Sequence, residues 1–119
     1  MCPTRQQLVF LRSILLNNSL KLLREMNQAD GFTMRFRGLM TMLESVFRML
    51  ELHENNWEIL VDSDKVGYQK FVDMVYGRFE LNYRTVLEFA TMPQLNQFIE
   101  VRDGFMDKYR YTAADIVLK

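Results

Sequence analysis

The feature that most constrains the fold is a double apolar stripe between Phe36 and Leu50. Phe36, Met40, Leu43, Phe47 and Leu50 recur every three or four residues, and Leu39, Met42, Val46 and Met49 run beside them. On a helix of 3.6 residues per turn the two stripes merge into an apolar face covering about half the circumference. A helix lying on a surface needs less. This one must be wedged between several neighbours, within its own domain or across a subunit interface.

A first long helix precedes it. Thr4 and Gln7 have capping-box spacing just before an apolar run. From Leu8 to about Met26, Leu8, Leu11, Leu15, Leu22 and Met26 share one side, while Val9, Phe10, Leu16 and Leu20 occupy others. The N-terminal half of this helix is therefore apolar nearly all round, which suits central burial or a second chain. Asn17, Asn18 and Ser19 weaken its middle, as a kink or a polar face. Ala29-Asp30-Gly31 reads as a stop, with Gly31 in a left-handed C-cap, and Thr33 caps a second helix to about His53. Two long helices joined by a short loop pack as an antiparallel hairpin, here about 4–28 and 33–53.

Beyond Glu54-Asn55-Asn56 the segment Trp57–Val61 is short, apolar and β-prone, a strand or an extended linker. Asp62-Ser63-Asp64 opens a third helix, with Gly77 near its end, and Leu81–Thr91 reads as a fourth. Thr91-Met92-Pro93 starts a fifth, running to about Tyr109, since proline is tolerated in a first turn. Thr112 caps a last short turn ending in Ile116, Val117 and Leu118. The expected fold is all-α, a long hairpin followed by about three shorter helices in one domain. An α+β variant would pair Trp57–Val61 with Ile116–Leu118.

Composition narrows the jobs. In 119 residues, 15 Lys and Arg balance 15 Asp and Glu, so attraction to nucleic acid or anionic membrane needs a local patch. One cysteine, Cys2, excludes an internal disulfide. No stretch approaches the ~18 consecutive apolar residues of a membrane span. Met1–Gln7 has no basic n-region, and Arg12 interrupts the apolar stretch after it, which argues against a secretory signal. The expectation is a soluble cytoplasmic protein.

Chemistry-bearing groups are sparse. With one Cys and one His there is no zinc set and no Cys-His dyad. Asp62-x-Asp64-x-x-Gly67 has the opening spacing of an EF-hand calcium loop, with Asp73 at the last ligand position. Val66 and Lys70 occupy ligand positions, however, so helix capping by Asp62, Ser63 and Asp64 is the expected role. His53 reads as a half-buried residue near the C-terminal dipole of the second helix. Asn17-Asn18-Ser19 matches the glycosylation triplet, a coincidence on a helix.

One segment carries a sharper pattern. Val75 and Phe79 are apolar on a first helix, Leu81 is apolar in a turn, Asn82 can cap, and Val86 and Phe89 face inward with Thr85 before them. This stretch resembles the Arg-Phe-x-Leu-Ser-x-Arg-Thr-Val recognition segment of helix-turn-helix DNA-binding proteins. Glu80 and Tyr76 stand where such units carry glycine and a small residue. The resemblance implies a dimeric transcriptional regulator that reads the major groove through residues 75–91 with Asn82, Tyr83, Arg84 and Glu88. Glu80 and Glu88 offset Arg78 and Arg84, whereas DNA affinity rests on phosphate neutralisation.

The leading expectation is a non-enzymatic helical module that acts as adaptor, regulator or inhibitor of another protein, without a cofactor and as a homodimer. Its candidate contact residues are Phe10, Ile14, Arg35, Met42 and Met49.

Overall fold

The computed structural model describes residues 4–28 and 31–110. Among these the fold is all-α: α1 (Arg5–Gln28), α2 (Phe32–Asn55), a 3-10 turn (Trp57–Ile59), α3 (Asp62–Phe89) and α4 (Met92–Tyr109). Their contacts cluster into two compact units, Met1–Val72 and Asp73–Lys119.

In the first unit α1 packs along α2 as the expected hairpin. The Thr4–Gln7 capping box is formed: the Thr4 amide donates to Gln7 Oε1 at 2.9 Å, and the Gln7 amide donates to Thr4 Oγ1 at 3.2 Å. α2 buries Phe36, Leu39, Met42, Leu43, Val46, Met49, Leu50 and His53, the wide face that its sequence requires. α1 fully buries only Leu8 and Ser19. Small residues let the two helices approach. Ser19 Oγ donates to the Leu15 carbonyl at 2.9 Å and lies 3.2 Å from Ser45 Oγ, and a Cβ on Gly38 would lie 3.3 Å from Met26 Cβ. Asn17–Ser19 thus leaves α1 unbroken; Ser19 faces α2 while the two asparagines are exposed.

Gly31 differs from expectation. Its φ of 84° is positive, but ψ is 157°, so it is the extended N-cap of α2 rather than a left-handed end to α1, in a region that only glycine adopts cheaply. α2 then begins at Phe32, before the expected cap at Thr33. The Trp57–Val61 segment holds a 3-10 turn instead of a strand. Its proposed partner, Ile116–Leu118, and the Thr112 turn lie outside the described residues.

The largest departure is α3. The expected third and fourth helices are one helix of 28 residues that runs through Gly77 and Leu81. A lone helical glycine costs only about 1 kcal/mol relative to alanine. Within the second unit that cost is offset by burial of Val75, Phe79 and Val86 along one side of α3. The Phe79 ring meets Phe98 edge-on at 5.5 Å and Phe105 at 5.4 Å. Asn82 does not cap a new helix: its amide donates to the Arg78 carbonyl at 2.8 Å, inside α3. α4 starts as its sequence predicts, with Pro93 in the first turn; the structure adds a Thr91–Gln94 capping box there, and the helix ends on Arg110 in the left-handed conformation.

Two substitutions probe this arrangement. Leu43, fully buried on α2, should cost about 3 kcal/mol when changed to alanine, read by urea denaturation. Gly77→Ala should stabilise by about 0.5–1 kcal/mol, because nothing lies within 4 Å of the added Cβ and the helix is continuous there. A loss of stability at position 77 would place a break in α3.

Candidate functional site

Two features of the first unit stand out: a buried charged cluster and an exposed face of α1. The cluster centres on Asp64, in the first turn of α3 and 2% exposed. One carboxylate oxygen, Oδ2, accepts from the Val61 amide at 3.2 Å, half of a capping box. The same oxygen accepts from Arg5 Nε at 3.0 Å, while Oδ1 accepts from Arg12 Nη1 at 2.8 Å and Arg5 Nη2 at 3.3 Å. Arg5 and Arg12 are seven residues apart, so two turns of α1 bring both guanidinium groups to one side.

His53 of α2 completes the group. Its Nδ1 lies 2.7 Å from the Met49 carbonyl, which can only accept, so Nδ1 donates. Nε2, 3.3 Å from Arg12 Nη1, is then left to accept from the arginine. His53 is fully buried rather than half-buried. Beside it Tyr68 donates to Glu54 at 2.6 Å, packs edge-on against Trp57 at 5.2 Å, and Lys65 lies 5.4 Å from the Trp57 ring centre.

The hydrogen bonds from Arg5, then those from Arg12 and the Val61 amide, hold the Asp64 carboxyl well below the usual carboxylate range, against the opposing effect of burial. A carboxylate so held neither gives nor takes a proton near neutral pH. Its chemical work is to tie α1 to the start of α3. The EF-hand reading fails here: residues 62–73 are helix, not loop, and both Asp64 oxygens are occupied by arginines. Among the described residues no group of three His, Cys, Asp or Glu side chains is placed to hold a metal ion.

The exposed face lies on α1. Phe10 is 66% exposed and Ile14 43%, one turn apart, and Leu11 beside them is also exposed. Asn17, Lys21 and Arg24 continue the same stripe at helical spacing. Between α1 and α2 runs a groove of about 390 Å³, with Leu15 and Leu22 in its floor and Lys21, Glu25, Glu44 and Arg48 on its walls.

Of the residues singled out from sequence, Phe10, Ile14 and Arg35 are exposed, whereas Met42 and Met49 are not. Those two methionines belong to the buried face of α2 and present nothing to a partner. Asn82, Tyr83, Arg84 and Glu88 sit on one uninterrupted helix, so residues 75–91 hold no helix-turn-helix. Tyr83 is half-buried, with Arg102 5.0 Å from its ring centre and Phe98 packed nearby at 6.4 Å, while Arg84 and Glu88 are exposed one turn apart. The Asp64 cluster escaped the sequence reading. Its one trace was Arg5 and Arg12, two cations spaced to share the otherwise apolar side of a helix. Among the described residues no helix is long and apolar enough to cross a membrane.

Comparison with known proteins finds no matching family model, no matching curated protein and no matching solved structure.

The Asp64 cluster makes stability pH-dependent. Its carboxyl titrates lower in the folded chain than the ~4 of an unfolded aspartate, so its contribution is present above about pH 4 and is lost as pH falls below that. Asp64→Asn should cost about 2 kcal/mol at neutral pH, less than a fully buried pair because both arginines keep some contact with water. Chemical denaturation from pH 7 to pH 3 should show the gap between variant and wild type closing at the acid end. A gap independent of pH would remove the ion pairs as its cause.

Proposed function

We propose that the protein is a non-enzymatic helical interaction module, an adaptor or regulator that engages another protein through the outer face of α1. The observation that carries this reading is the pair Phe10 and Ile14, two large apolar side chains held one turn apart in water on a rigid helix. Folding does not need them there, since α1 packs on α2 through its opposite side. An apolar anchor pair at this spacing is what a helix-binding groove on a partner recognises. Lys21 and Arg24 lie further along the stripe and favour a groove rimmed by carboxylates at that end. The Asp64 cluster supports the same role by fixing the N-terminal turns of α1, so that the anchors are presented without loss of order on binding.

The DNA-reading alternative is not carried forward, because its turn is absent.

The test is photo-crosslinking in a native extract with benzoylphenylalanine in place of Phe10. A discrete protein should be captured, and Ile14→Asp in the same chain should abolish capture while shifting stability by less than about 0.5 kcal/mol. No capture from position 10, or capture indifferent to Ile14→Asp, would overturn the proposal.

A further inference from the structure

Several cations of the first unit are matched within it. Arg5 and Arg12 close on Asp64, Arg48 bonds Glu44 of its own helix at 2.7 Å, and Lys65 lies over the Trp57 ring. The loop end of the hairpin departs from this habit. Lys21 and Arg24 on α1 and Arg35 and Arg37 on α2 are all exposed there. Among the described residues Lys21, Arg24 and Arg37 enter no ion pair. Helix packing sets the heights of these side chains. Ser19 lies 3.2 Å from Ser45, and Met26 is level with Gly38, so each residue forward on α1 is level with one residue back on α2. Arg37 is then level with Asn27, and Arg35 lies about 3 Å further toward the loop. The four cations share about 12 Å of helix axis.

Nothing in the fold asks for this gathering. From Lys21 to Arg37 the sequence sets the four cations against Glu25 and Asp30, the latter outside the described residues, in a chain whose total charge is zero. α2 carries no carboxylate before Glu44. Arg35 sits in the first turn of α2, at the positive end of the helix dipole, where a carboxylate would stabilise and a cation does not. Like charges held so close repel one another, and what they attract is an anion.

The patch is continuous with the apolar anchors. Lys21 and Arg24 belong to the stripe of Phe10 and Ile14, about 16 and 21 Å from Phe10 along the axis. An anion that covers the whole stripe is apolar at one end and negative at the other. A protein surface with carboxylates at one end meets that description. A nucleic acid duplex does not, because its charge is spread evenly along its length and it would bring phosphate, not apolar surface, to Phe10.

We infer that the loop end of the hairpin, through Lys21, Arg24, Arg35 and Arg37, docks an acidic segment of the partner protein. The inference rests on the interaction-module reading and deepens it: α2 joins α1 in the contact, and the partner's binding element is apolar at one end and rich in Asp or Glu at the other. Charges at the rim of an interface act chiefly on the rate of capture and its salt dependence.

Fluorescence anisotropy with two labelled helical peptides of about 20 residues, long enough to span the stripe, tests it. Both are leucine-rich over one half; the other half carries four glutamates in the first peptide and four glutamines in the second. The glutamate peptide should bind about tenfold tighter or more, with an advantage that shrinks as salt is raised. Arg35→Glu with Arg37→Glu should remove that advantage. Lys70→Glu with Arg84→Glu, an equal change in net charge away from the patch, should leave it intact, and circular dichroism should show both variants folded. Equal binding of the two peptides, or loss of the advantage in the Lys70 and Arg84 variant, would overturn the inference. So would tighter binding of a random-sequence duplex, or of phosphatidylserine vesicles, that Arg35→Glu with Arg37→Glu abolishes, since the patch would then serve phosphate. Two results separate this inference from the reading beneath it. Capture from position 10 that ignores Arg35→Glu with Arg37→Glu keeps the interaction module and removes the acidic docking site. A glutamate advantage that survives Ile14→Asp undiminished, with nothing captured from position 10, keeps the docking site and removes the α1 anchors.

Discussion

Eight side chains along one side of α2 have to leave water together, and the first unit is arranged around that requirement. α1 supplies cover, but it brings few fully buried residues of its own. Close approach makes up for this. Serine at 19 and 45 and glycine at 38 keep the walls between the helices thin, so that half-buried leucines of α1 reach the α2 surface. At the start of α1, on either side of the fully buried Leu8, two arginines hold the helix to Asp64. The price is a buried ionic group that is stable only while every member keeps its partner. Among the described residues no buried side-chain polar atom is left without one.

This division of labour explains why apolar residues remain outside. α1 is apolar on more sides than α2 can cover, and Phe10 and Ile14 are the surplus. Scattered exposed apolar residues are ordinary in folded proteins, but a pair one turn apart on a pinned helix is an organised patch. The groove beside it has a different character, with charge on its rims and leucine below. One helix thus offers two adjoining surfaces, with Lys21 common to both.

The hairpin was legible in the sequence because its signals agree at every level: periodicity, a capping box and a glycine between the helices. The wide apolar arc of α2 also located its core, although Met40 and Phe47 are only half-buried and His53 is buried completely. The break expected near Gly77 was not there, because local breaker signals compete with packing that lies elsewhere in the chain. Val75, Phe79 and Val86 form one buried line only if α3 continues, and Phe98 and Phe105, which meet Phe79, come from another helix. The turn-like spacing of residues 75–89 satisfied a motif and a straight helix equally well. The α1 anchors could be named from sequence, since an all-round apolar helix must leave something exposed. Met42 and Met49 could not be separated from them, because periodicity gives a face without saying which neighbour covers it. The Asp64 cluster was hidden for the same reason, as it joins positions 5, 12, 53 and 64.

That spread along the chain has a consequence for how the molecule assembles. Ser19 and Ser45 are 26 residues apart, and their contact closes with the hairpin. Arg5 and Asp64 are 59 residues apart, so closing their contact costs more chain entropy than closing the hairpin. Arg5 and Arg12 act as a latch across that distance: the first turns of α1 cannot fray without leaving the buried Asp64 carboxylate short of its partners.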